Sequence, residues 1–181
     1  MATHTILKMG NPLLREIASE FSKEEILHED TNELLFDMWE TLDFAGGIGL
    51  AAPQVNKPIR LIVLDVSEKR NDPMIFVNPN LEKVEGSVDS SEGCLSVPEI
   101  RTTVQRHKKI VLSAQNIDGS EIKIEADDLL SICVQHEIDH LDGKLFIDYV
   151  PSVKLQRLRK KIAKQKKLTT EKPQGTTVKI V

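Results

Sequence analysis

Two histidines four residues apart, with a glutamate following the first, form the most chemically loaded stretch of the 181-residue chain: His136-Glu137-Ile138-Asp139-His140. On a helix, positions i and i+4 differ by about 40° in azimuth and about 6 Å in rise, so both imidazoles share one face. At that spacing the two rings can close on a single divalent metal ion. Glu137 lies beside the pair, where its carboxylate could exchange a proton with a water on such an ion.

Two imidazoles leave a tetrahedral site incomplete, because a catalytic site of this type takes three protein ligands and keeps a fourth position for water. The sequence has two cysteines, Cys94 and Cys133. Cys133 shares the helix with the histidines, but it precedes His140 by seven residues, about 10.5 Å in rise. Metal bonds of about 2.0–2.3 Å cannot draw in both ends of that span. Cys133 is therefore expected in the wall beside the ion. Cys94, in Glu92-Gly93-Cys94-Leu95-Ser96, comes from another element and is the better candidate, the alternative being an inert buried thiol. His4, His28 and His107 have no ligand-like spacing and are expected to be surface or structural residues.

These side chains need elements to hold them. Ser22-Lys23-Glu24-Glu25 reads as a capping box, and Leu27, Leu34, Leu35, Met38 and Leu42 recur at helical spacing. A helix is predicted from about Lys23 to Asp43, with a break possible near Asp30 and Gly46-Gly47 as its end. Arg60 to Val66, Met74 to Val77 (stopped by Asn78-Pro79-Asn80), Thr102 to Val104 and Lys109 to Ala114 read as strands. Asn116-Ile117-Asp118-Gly119 is a hairpin turn, with Glu121 to Glu125 as the partner strand. From Ala126 to Leu141 the period becomes helical. Strands grouped between helices favour an α+β fold over an alternating doubly wound sheet.

At this length one domain with a substantial core is expected, largely aliphatic because only 4% of residues are aromatic. No apolar run approaches membrane-spanning length, and residues 1–15 lack the apolar core of a secretory signal. A cytoplasmic monomer without disulfides is the expectation. The net charge of −4 conceals an asymmetry: residues 151–181 carry ten Lys or Arg against one acid, which is +9, and the remainder carries −13. Leu155, Leu158 and Ile162 form an apolar stripe within this basic segment, so residues 151–168 are predicted to be an amphipathic helix and residues 169–181 a loose tail. Such a helix either packs on the body by its stripe or meets phosphate backbone.

Three segments together resemble the signatures of the peptide deformylase family: Gly47-Ile48-Gly49-Leu50-Ala51-Ala52-Pro53-Gln54, Glu92-Gly93-Cys94-Leu95-Ser96 and Gln135-His136-Glu137-Ile138-Asp139-His140. The likeness runs from Lys8 to Val150 and so defines a single catalytic domain over residues 1–150. It implies antiparallel strands packed around a central metal-bearing helix, with an N-terminal helix and a C-terminal basic helix. It also implies that Cys94, His136 and His140 hold one divalent ion with water as the fourth ligand, Fe(II) in cells, with Zn, Ni or Co compatible with the same donors. Glu137 would be the general acid and base for attack by metal-activated hydroxide, and Gln54 and the backbone N–H of Leu95 would stabilise the oxyanion. Ile48, Gly49, Leu129, Ile132, Cys133 and His136 match positions lining a methionine pocket, and Arg101 matches a contact to the peptide backbone. The implied reaction is hydrolysis of the formyl group from the formyl-methionine end of newly made polypeptides, with a ribosome contact through the basic helix.

Asp139 is expected to orient a ligand imidazole or nearby backbone, and Glu92 to pair with Arg101 or Arg106. Ser90 stands where relatives carry a larger apolar residue, so the pocket rim should be wetter or wider. Two other classes compete. A metalloprotease would use the same His-Glu-His set on internal peptide bonds, but the Cys94 segment argues against it. A structural metal site in a binding module would need four closed ligands, and only three are credible.

Overall fold

The computed structural model describes residues 3–170; for residues 161, 162 and 164–170 it describes the backbone only. Residues 171–181, most of the predicted tail, lie outside the described residues.

The predicted capping box forms: Ser22 Oγ accepts from the N–H of Glu25, and the Glu25 carboxylate accepts from the N–H of Ser22. It opens only a short helix, α1 (Lys23–Ile26), and a second, α2 (Glu29–Ala45), follows at once. His28 separates them, and its Nδ1 caps α2 by accepting from Asp30. Gly46 ends α2 in the left-handed region at φ 66, which a residue with a Cβ adopts only with strain.

Among the described residues seven strands follow: β1 (Gly49–Ala51), β2 (Leu61–Leu64), β3 (Met74–Glu85), β4 (Val88–Cys94), β5 (Val97–Arg106), β6 (Lys109–Gln115) and β7 (Glu121–Asp127). The first, second, third, sixth and seventh form one antiparallel sheet in the order β1-β2-β3-β6-β7, and β4 and β5 make a separate hairpin. Helix α3 (Asp128–Leu141) follows β7, and α4 (Ser152–Thr170) closes the described chain. The fold is α+β, as expected.

The unbroken apolar run of β2 has a simple cause. Ile62 and Leu64 face α3, where they meet Phe76, Leu112, Val134, Ile138 and Leu141. Leu61 and Val63 face α2, where they meet Leu35, Met38 and Leu42. A strand covered on both faces needs apolar residues at every position rather than alternation. Helix α3 is accordingly buried along most of its length and carries its histidines in the interior.

Two expectations need correction. Asn78-Pro79-Asn80 does not stop β3. Asn78 takes φ 49 at an irregularity in the pairing with β6, and its side chain bonds the Phe21 backbone and Gln115, so the strand bulges and continues. The tail also does not begin at residue 169, because α4 runs to Thr170. Leu155 and Leu158 of α4 pack against Val97, Ile100, Val104, Leu145, Phe146 and Ile147, which places the helix against β5.

Candidate metal centre

Each part of the site reaches it from a different element. The Cys94 segment ends β4 at a tight turn into β5, and the pairing shifts register between Gly93 and Cys94. That irregularity turns the thiol toward α3, which presents His136 and His140 on one face. The rings lie edge to face with centroids 5.2 Å apart. The Cys94 Sγ lies 3.2 Å from His140 Nε2, and the ligating atoms of Cys94, His136 and His140 all lie within 4.8 Å of one another. A tetrahedral ion with bonds of about 2.0–2.3 Å needs its donors about 3.3–3.8 Å apart, so this set can close on one ion with little movement. Among the described residues no other such cluster occurs. One thiol and two imidazoles suit a first-row divalent metal, and three protein donors leave a fourth position for water.

The electrostatics favour a cation at this point. Burial alone would lower the pKa of His136, but its bonds to Cys94 and Glu92 raise it to about 10, so the surroundings of the ring favour positive charge. A divalent ion would meet the same field. His136 Nδ1 donates to Glu92 Oε2 at 2.8 Å, which leaves Nε2 for the metal and fixes the ring. Phe146 stacks on the same ring, with centroids 5.9 Å apart.

Behind Glu92 runs a chain of charges. Arg106 donates to both oxygens of Glu92, at 2.7 and 2.9 Å, and to Asp139 Oδ2 at 2.7 Å. Tyr149 O–H donates to Asp139 Oδ1 at 2.7 Å, and the guanidinium lies 5.1 Å from the Tyr149 ring centre. Arg106 is therefore the partner of Glu92, while Arg101 bonds the Ser91 carbonyl at the cleft. Asp139 is linked to His136 through Arg106 and Glu92. The sequence reading missed Tyr149 and Phe146. No spacing pattern links either to the histidine helix, and the 3-10 turn Phe146–Tyr149 brings them back against it.

Glu137 is 4% exposed, and its Oε2 has no hydrogen-bond partner. Burial raises its pKa to about 7, against the opposing pull of His136. A carboxyl poised there can both accept and return a proton near neutrality. Gly49 makes room for it, since a Cβ at that position would lie 2.5 Å from Glu137 Oε1 and 2.9 Å from Cys133 Sγ.

The amide of Gln54 is fixed on both sides. Its Oε1 accepts from the Ala51 N–H at 2.9 Å, while Nε2 donates to Ser96 Oγ at 3.0 Å and points at Cys94 Sγ, 3.7 Å away. A cleft of about 670 Å³ opens over the cluster. Ile48, Gly49, Arg101, Leu129, Ile132 and Cys133 all line it, as do Gln54, Leu95 and Ser90. Cys133 is buried beside the Ile48 carbonyl and stays outside the ligand cluster. His4 and His28 serve the N-terminal elements, and the His107 backbone holds Ser131 and Gln135.

Comparison with known proteins decides the family. The polypeptide deformylase family model matches residues 3–156. The chain belongs to that family. A peptide deformylase of Pseudoalteromonas translucida is 46% identical over 169 residues, covering 92% of this chain and 98% of that protein. The crystal structure of a peptide deformylase from Legionella pneumophila superposes with a TM-score of 0.84 at 37% identity, over 95% of this chain and all of that one. A class I type b peptide deformylase from Acinetobacter baumannii, solved with Met-Ala-Ser bound, superposes with a TM-score of 0.78 at 27% identity, over 82% of this chain and 99% of that one. The chain is thus a hydrolase that removes N-formyl groups, and deformylases are metal-dependent enzymes.

Proposed function

We propose that the chain hydrolyses the formyl amide of the N-terminal formyl-methionine of newly synthesised polypeptides in the cytoplasm, releasing formate and a free amine. The observation that carries this reading is the convergence of Cys94, His136 and His140 beside the buried, unpartnered carboxylate oxygen of Glu137. The bound Met-Ala-Ser of the Acinetobacter relative supports the substrate class, because that peptide begins with methionine. All three donors come from one chain, which supports a monomer as the working unit.

Cys94, His136 and His140 would hold a divalent ion, which would supply a Lewis acid and lower the pKa of a water toward 7. Glu137 takes a proton from the attacking water and delivers it to the amine nitrogen, which cannot depart as an anion. Gln54 Nε2 and the Leu95 N–H donate to the formyl oxygen as it gains negative charge; losing one such donor costs about 2.7–4 kcal/mol of barrier. The methionine side chain lies among Ile48, Gly49, Leu129, Ile132 and Cys133, and Arg101 meets the peptide backbone. Ser90 at the rim, where a larger apolar group would exclude water, relaxes preference for the side chain. Fe(II) is the proposed ion in cells, and Zn, Ni and Co suit the same soft set.

The test is formate release from formyl-Met-Ala-Ser by anaerobically purified protein. Chelation is expected to stop release and Fe(II) to restore it, with no cleavage of unformylated internal peptides. Release that survives complete metal removal would sink the reading.

Helix α4 offers Lys154, Arg157, Arg159 and Lys160 on an exposed surface, which suits the phosphates of ribosomal RNA. Truncation after Val150 is expected to weaken co-sedimentation with ribosomes while sparing hydrolysis of small formyl peptides. Unchanged co-sedimentation would count against the ribosome contact.

A further inference from the structure

The two segments that carry the proposed oxyanion donors belong to different parts of the fold. Gln54 sits in the 3-10 turn Ala52–Val55 after β1, and Leu95 sits in the turn between β4 and β5. One short stretch of chain ties them together. The Leu7 N–H donates to the Gln54 carbonyl at 2.8 Å, and the Met9 N–H donates to the Ser96 carbonyl at 2.8 Å. Between them, Lys8 Nζ donates to the Leu95 carbonyl at 2.8 Å. Residues 7–9 thus form a strap across the back of both donor segments.

The strap is itself held at both ends. The His4 N–H bonds Thr41 of α2 at 2.8 Å, and Ile6 packs against the cluster on that helix. Beyond the strap, Asn11 caps the 3-10 turn Pro12–Arg15, whose Leu14 is buried. Among the described residues, the side-chain hydrogen bonds between the donor segments run through Gln54 Nε2, to Ser96 Oγ and Cys94 Sγ. An amide with two protons that turns one of them to a substrate oxygen keeps only part of that link. The strap bonds end on backbone carbonyls and do not use the Gln54 side chain.

We propose that residues 7–9 are a positioning element for the oxyanion donors, and that Lys8, by holding the Leu95 carbonyl, is the side chain that sets the turn carrying the Leu95 N–H. This rests on the assignment of Gln54 and Leu95 as oxyanion donors. A charge-assisted bond to a backbone carbonyl is stronger than a neutral one, and it fixes the peptide plane beside the donor. Donors act only when placed in advance at the developing charge, so a small drift of that turn slows chemistry more than it weakens substrate binding.

The experiment uses the full-length, metal-loaded enzyme and formyl-Met-Ala-Ser. Lys8→Met keeps the aliphatic stem and removes the ammonium. It is expected to lower kcat about tenfold with KM within about twofold, and with bound metal and Tm unchanged. Lys8→Arg is expected to recover most of kcat, since a guanidinium can reach the same carbonyl. Gln54→Ala, made alongside, tests the underlying assignment: it should lose kcat heavily on its own, and adding Lys8→Met should then cost much less than in the wild-type background. Wild-type kcat in Lys8→Met, a loss confined to KM or metal content, or no recovery with Lys8→Arg overturns the role of the strap while leaving the Gln54 result standing. Wild-type kcat in Gln54→Ala removes the assignment beneath it.

Discussion

Glu137→Gln is expected to keep its metal and lose formate release by about a thousandfold, within the range that a positioned acid–base group contributes. The substitution changes no donor atom, because the cluster is made by Cys94, His136 and His140. It keeps the shape of a side chain confined between α3 and the Gly49 backbone. What it removes is the ability to take a proton and return it, for which burial has tuned this carboxyl to about 7. Metal content per chain and single-turnover formate release decide the matter together. Loss of metal along with activity would make Glu137 a ligand in practice, and retained activity would place the acid–base group elsewhere.

Arg106→Met is expected to be the most damaging substitution away from the metal, destabilising the protein by about 3–5 kcal/mol. Arg106 is 6% exposed and is the shared partner of two buried carboxylates, Glu92 and Asp139. Burial alone would push Glu92 up, but Arg106 and His136 hold its pKa below the ordinary value. Without the guanidinium both acids stay buried with less compensation, and Glu92 holds His136 less firmly. Metal affinity should therefore fall by about 10–100-fold, the usual cost of losing a group that orients a metal ligand. Lysine should not rescue, because the site uses three nitrogens in a fixed plane. Denaturant unfolding of the metal-free protein reads the stability, and competition with a chelator reads the affinity. A destabilisation under about 1 kcal/mol would show that the two acids find other partners.

The Arg106 network also marks where sequence reading stops. His136, Glu137 and His140 were legible because helical geometry is regular, so spacing alone places both rings on one face. Cys94 was legible by elimination, since a single helix cannot bring Cys133 and His140 to the same ion. The continuous apolar run of β2 and the capping box at Ser22 declared themselves through local chemistry in the same way. By contrast, sequence left Glu92 a choice between Arg101 and Arg106, left Asp139 a choice between a ligand imidazole and nearby backbone, and gave no reason to notice Tyr149. Those relations depend on the pairing of β4 with β5 and on the return of Phe146–Tyr149 to α3.

The chain by itself pointed to the α+β class, to the candidate donor set and to the proposed acid–base group, because each rests on short-range periodicity or on short motifs. The tertiary structure alone decided which charges stand behind the ligands, that β3 bulges through Asn78 rather than ending, and that residues 7–9 brace two distant turns. Contacts between residues tens of positions apart follow from strand register and layer packing. Neither leaves a periodic trace in sequence, since many side chains could fill one face but only the folded backbone selects which of them meet.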